Sequence, residues 1–147
     1  MAEMTQAIAR TALEAAFQKA SELGVSVTVS VVDDSGRLVL CARGDGATFS
    51  TTDTSFAKAV AAAAFRAPTK LMSELYKDNM SFFGNVAHAF TGPMFPSIGA
   101  VPITHGERMI GAIGCAGAHG DHDHQCALAG AERAGHKLPA DSTPQSK

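Results

Sequence analysis

Between Ala2 and Leu23 the apolar positions include Ile8, Ala12, Ala16, Phe17, Ala20 and Leu23, in steps of three and four. That spacing puts them on one face of an amphipathic helix, and Gly24 is the residue type that commonly ends one. The period then changes. Val25, Val27, Val29 and Val31 alternate with Ser26, Thr28 and Ser30, which is the two-residue repeat of a strand. The valine face belongs in a core, and the hydroxyl face is expected either to meet solvent or to line a polar cavity. Asp33–Gly36 reads as a turn, with Arg37–Ala42 returning as the hairpin partner.

Arg43–Gly46 forms the next loop, and Thr51–Thr54 offers several capping hydroxyls ahead of an alanine-rich helix running to about Phe65. Pro68-Thr69 breaks the chain and restarts it as a short helix from Lys70 to about Lys77. Met80–Ser97 carries several phenylalanines, glycines and prolines. It predicts irregular structure with a helical turn or two. Gly99–Ile103 and Arg108–Ala116 form a second hairpin around His105–Glu107, and Asp121 or Asp123 caps a last helix to about Ala134. Two local hairpins among helices predict an α+β chain with an antiparallel sheet.

The length of 147 residues matches one domain, here 1–135, with 136–147 as a Pro/Ser-rich, mobile C-terminal tail. Twelve Lys and Arg are scattered over a chain of formal net charge -2, which argues against a nucleic-acid surface or a polybasic membrane patch. No apolar run approaches the ~20 residues that span a bilayer, and no signal-peptide pattern opens the chain. Three cysteines, an odd number without CxxC spacing, read as reduced thiols. The expected location is cytoplasmic.

Several residues carry possible chemistry. Gly111, Gly114 and Gly117 recur within one strand, where glycine marks either close helix packing or a platform for a flat ligand. Phe82, Phe83 and Phe90 lie in the irregular apolar segment, the material of a pocket wall or of a loop that closes the core. His88, embedded there, is a candidate iron ligand or general base, or else a packing residue. Lys58 interrupts an otherwise small and apolar helix. It either reaches out to water or points inward to hold an anionic group, with Asp53 as a neighbour, and desolvation would then suit it to act as a base. His119, His122 and His124 with Cys126 offer metal-ligand types, while Asp121 and Asp123 equally suit a helix N-terminus.

In order and spacing, several stretches resemble the GlcG/HbpS family, which includes the C-terminal domain of PduO-type corrinoid adenosyltransferases. They are Leu23-Gly-Val25, Ser30–Asp33, Gly36-Arg-Leu38, Ala42–Ala47, Asp53, Lys58-Ala59 and Arg66–Thr69, then Gly99–Ile103, Gly111–Gly114, Gly117 and Asp123. The resemblance implies a profilin-like three-layer α/β/α fold around an antiparallel sheet of about five strands. It also implies a homo-oligomer, from a dimer to an octamer, and haem as the leading ligand, with a role in haem sensing or handling. The chain departs from the family in three places. Its first helix has no histidine, Phe95–Ala100 replaces the usual Pro-Gly-Gly, and Cys115 stands where a small residue such as valine is common. His88 or His105 then becomes the expected axial ligand.

The expected binding set is Asp53, Lys58, Phe82, Phe83, His88, Phe90, Gly114 and Cys115, with His88 on the iron. The alternative is a cofactor-independent isomerase, hydratase or lyase of a small-molecule catabolic pathway. It would use His88 or Lys58 as acid and base, with hydroxyls of the first strand orienting substrate. A third possibility is a purely structural oligomer.

Overall fold

A computed structural model describes residues 3–135, so the tail expected at 136–147 lies outside the described residues. Helix α1 spans Gln6–Leu23. It opens where Thr5 Oγ1 accepts the Ile8 N–H at 3.1 Å. It closes at Gly24, whose φ of 72° is the left-handed turn that glycine enters without penalty. Strands β1 (Thr28–Asp33) and β2 (Leu38–Ala42) form the first hairpin, with Asp33 Oδ1 accepting the Ser35 and Arg37 amides across the turn. Helix α2 spans Ser50–Phe65. Three short elements follow: α3 (Thr69–Leu75), α4 (Met80–Asn85) and a 3-10 turn at Val86–Ala89. Strands β3 (Ala100–His105) and β4 (Arg108–Ala116) precede the last helix, α5 (Gly120–Ala134).

All four strands pair antiparallel in the order β2-β1-β4-β3. The sheet thus has four strands where about five were expected. The two hairpins meet along the central β1–β4 ladder, from Thr28 opposite Ala116 to Asp33 opposite Gly111. On one face α1 and α5 cover Val27, Val29, Val31, Ile103, Ile113 and Cys115. On the other, α2 covers Val32, Ala100, Met109 and Ala112 through Ala59, Ala62 and Ala63. Helices on both faces of the sheet make three layers.

Within β1 the hydroxyl face neither meets solvent nor lines a cavity, while Ser26, just ahead of the strand, is exposed. Thr28 and Ser30 are fully buried beneath α2. Thr28 Oγ1 lies 2.7 Å from Thr51 Oγ1, and Ser30 Oγ lies 2.8 Å from Ser55 Oγ. Each buried hydroxyl therefore finds its partner on the covering helix, as burial demands. Such closeness needs a sheet without bulk. At Gly114 an added Cβ would lie 2.3 Å from the Ser55 carbonyl oxygen, so the space above this glycine is filled by α2 backbone.

One sheet edge is closed by chemistry. The Ala100 N–H donates to Thr69 Oγ1 at 3.0 Å, and that hydroxyl donates to the Ala100 carbonyl at 3.4 Å. Pro102, next along the same strand, has no N–H to offer a foreign strand. No helix among the described residues is long and apolar enough to cross a membrane.

Candidate functional site

The predicted residues fall into two groups, one inside the protein and one at its surface. Lys58 points inward from α2. Its ammonium donates to Asp123 Oδ2 at 3.1 Å and to the Cys115 carbonyl at 3.0 Å. The two side chains are 7% and 2% exposed, so this ion pair is dry. Asp123 Oδ1 accepts the Ala118 N–H at 3.1 Å, which engages the second carboxylate oxygen. Burial pushes the Asp123 carboxyl above its ordinary range, and the Lys58 charge opposes that rise. Gly99, with φ 136°, closes the node: a Cβ there would lie 3.0 Å from both Lys58 Nζ and Asp123 Cβ. Asp53 sits exposed in the first turn of α2, where its charge suits the helix dipole, and Lys58 has Asp123 as its carboxylate partner.

Cys115 occupies the core between the sheet and the α1/α5 layer. Burial lifts its thiol well above its ordinary pKa, with Cys126 and Asp123 adding to the rise.

The second group lies on the connection from α2 to β3. Both ends of this segment are tied down: Thr69 is bonded to Ala100, and the Phe95 N–H donates to the Ala57 carbonyl at 3.1 Å. Met94 and Pro96 are buried beside the second tie. Between the ties most side chains are exposed or half-buried, Met72 being an exception. Asn79 caps α4 through the Phe82 N–H, Tyr76 and Phe82 stack at 4.4 Å, and Phe90 meets Phe65 edge-on at 6.0 Å. Much of this surface is apolar and open, with Leu75 65% and Met80 64% exposed, and Phe82 and Phe90 also exposed. His88 is exposed on the 3-10 turn, and Phe83 is half-buried. Phe90 also lines a small pocket of about 170 Å³ with Gly36, Val60 and Ala63.

Three further histidines among the described residues have defined surroundings. His105 Nε2 lies 3.1 Å from the Ala134 carbonyl, and His119 Nδ1 caps α5 by accepting the Asp121 N–H. His124 is half-buried with its Nδ1 enclosed and without a hydrogen-bond partner, and burial and Lys70 hold the imidazole below its ordinary pKa. Among the described residues no group of three such side chains is placed to hold a metal. The residue that sequence reasoning underused is Asp123. It looked like a helix cap, and its role as a counter-charge depends on Lys58, 65 positions away.

A family model described as "Haem degrading protein HbpS-like" matches residues 4–132. The chain belongs to the HbpS-like family. An uncharacterised 15.0 kDa protein from the dhaT-dhaS intergenic region of Citrobacter freundii is 30% identical over 124 residues, 84% of this chain and 86% of that protein. Among solved structures, a double mutant of Streptomyces reticuli HbpS is 31% identical, with a TM-score of 0.80 over 92% of this chain and 90% of that one. The PduOC:heme complex shares the fold, at 22% identity and a TM-score of 0.79 over 90% of this chain and 95% of that one.

Proposed function

We propose that this HbpS-like chain binds a small planar ligand, haem foremost, on the aromatic segment between α2 and β3. The carrying observation is that one segment, anchored at both ends, exposes an imidazole, His88, and the rings of Phe82 and Phe90. The donor chemistry fits the group: imidazole is an axial ligand for haem iron, and apolar rings suit the face of a porphyrin. Haem, when bound, supplies its own iron chemistry. The chain's part is to hold it, with His88 on the iron and Phe82, Phe83 and Phe90 against the ring. Membership of a family described as haem-degrading supports this choice of ligand.

Lys58, Gly114 and Cys115 enter as the scaffold that joins α2, β4 and α5 behind the segment. In this reading the protein works as a homo-oligomer in the cytoplasm, a second copy covering part of the apolar surface. The acid–base alternative needs His88 or Lys58 to reach a substrate proton, and of these two only His88 is exposed.

Haemin titration of the apo-protein by visible absorption, with His88→Ala in parallel, tests the proposal. A saturable, stoichiometric Soret shift that weakens in the variant is expected. An equal shift in both proteins moves the ligand away from His88, and no saturable shift in the wild type overturns haem binding.

A further inference from the structure

A second site lies away from the aromatic segment, in a cleft of about 490 Å³ between the C-terminal part of α1 and the adjoining ends of β1 and β2. Its apolar lining is Phe17 and Val25, both half-buried, and the loop that carries Arg43 and Asp45 lines it as well. Cavities of this size with an apolar floor and a few polar groups are the usual form of a small-molecule site.

The loop is fixed before any ligand arrives. Ser26 Oγ donates to the Asp45 carbonyl at 2.7 Å, and the Gly44 N–H donates to Thr28 Oγ1 at 3.2 Å. Gly44 lies so close to β1 that a Cβ would meet the Val27 carbonyl. Ser26 and Thr28 therefore hold the loop, and Thr28 also meets α2. Arg43 and Asp45, two residues apart on this rigid backbone, carry opposite charges. Both are exposed, they form no ion pair with each other, and neither side chain has a hydrogen-bond partner among the described residues. The C-terminal end of α1 borders the same cleft, its Ala20 and Ser21 carbonyls already accepting the Gly24 and Val25 N–H groups.

We propose that this cleft binds a free zwitterionic amino acid with an aliphatic side chain. Its carboxylate meets the Arg43 guanidinium, its ammonium meets Asp45, and its side chain rests on Phe17 and Val25. Two opposite charges lining one cleft without an ion pair suit a ligand bearing both signs better than a simple acid or a simple amine, since either of those leaves one protein charge unmatched.

Isothermal titration of the full chain with L-leucine, isocaproate and isoamylamine tests this, alongside Arg43→Gln and Asp45→Asn. The expected result is saturable binding of leucine, with each singly charged analogue weaker by roughly tenfold or more. Arg43→Gln removes the advantage of leucine over isoamylamine, and Asp45→Asn removes its advantage over isocaproate. Both variants are expected to melt at the wild-type temperature and to titrate with haemin as the wild type does, which separates failure here from failure of the haem proposal. Absence of saturable leucine binding, equal binding of either analogue, or undiminished leucine binding in both variants overturns the inference.

Discussion

Replacing Lys58 with Met tests how much of the fold rests on one buried charge pair. The substitution keeps most of the side chain's length and removes the ammonium that Asp123 and the Cys115 carbonyl share. Asp123 then keeps only the Ala118 N–H in surroundings that leave its side chain 2% exposed. Removing one partner of a buried pair costs about 3–5 kcal/mol, because the other charge stays desolvated. That is a large share of the ~5–15 kcal/mol by which domains are stable. Urea unfolding followed by circular dichroism reads it directly: with a slope of about 1–3 kcal/mol/M, the midpoint falls by about 1 M or more.

The loss is also expected to depend on pH. Burial raises the folded-state pKa of Asp123, and Lys58 limits the rise. Without Lys58 the carboxyl rises further, so protonation favours the folded variant. The deficit is then greatest at neutral pH and shrinks as pH falls through the raised folded-state value. The double variant Lys58→Met/Asp123→Leu removes both charges and is expected to recover most of the stability. A Lys58→Met protein within about 0.5 kcal/mol of wild type, or a double variant no more stable than the single, would refute the reasoning.

Three further outcomes follow from the same geometry. Ser55→Ala leaves Ser30 without its hydroxyl partner and is expected to cost about 1–3 kcal/mol in urea unfolding, more than Ser30→Ala, which leaves Ser55 its bond to the Thr52 carbonyl. His124 has a folded-state pKa below its ordinary 6.5, so its contribution is present above that pH and is lost as pH falls through the folded value. His124→Leu is expected to flatten the fall in melting temperature on acidification. In a thiol-reagent assay half-buried Cys41 is expected to react in the native protein, while Cys115 and Cys126, the latter pushed up to about 11, react only on unfolding.

Residues whose information is local were legible in the sequence. The three- and four-residue steps of α1 and the alternation of Val25–Val31 marked those elements because each period maps directly onto a buried face. Pro68-Thr69 marked the start of a short helix, although nothing nearby showed that the Thr69 hydroxyl would cap the sheet edge at Ala100. The hydroxyl face of β1 was seen, but its cover was not. Ser and Thr at alternate positions look the same whether they meet water or matching hydroxyls on a helix more than twenty residues away. Lys58 stood out as an anomaly in an alanine helix, yet its partner could not be read, because a carboxylate near a helix start has an adequate local explanation. The aromatic segment was legible as apolar and irregular, while which rings stand exposed is decided by the two tertiary ties at its ends.

The central β1–β4 ladder has a consequence for synthesis on the ribosome. Both hairpins close locally, but the seam that joins them pairs Thr28 with Ala116, so it is complete only once the first 116 residues have emerged. Until then β1 has an open edge on the side where β4 will lie, and Lys58 has no counter-charge, because Asp123 is made later still. A nascent chain paused before residue 111 therefore presents a β1–β2 hairpin with one open edge and a lysine whose counter-charge is not yet made. The sheet and its buried ion pair are therefore complete only once β4 and the start of α5 have both been made.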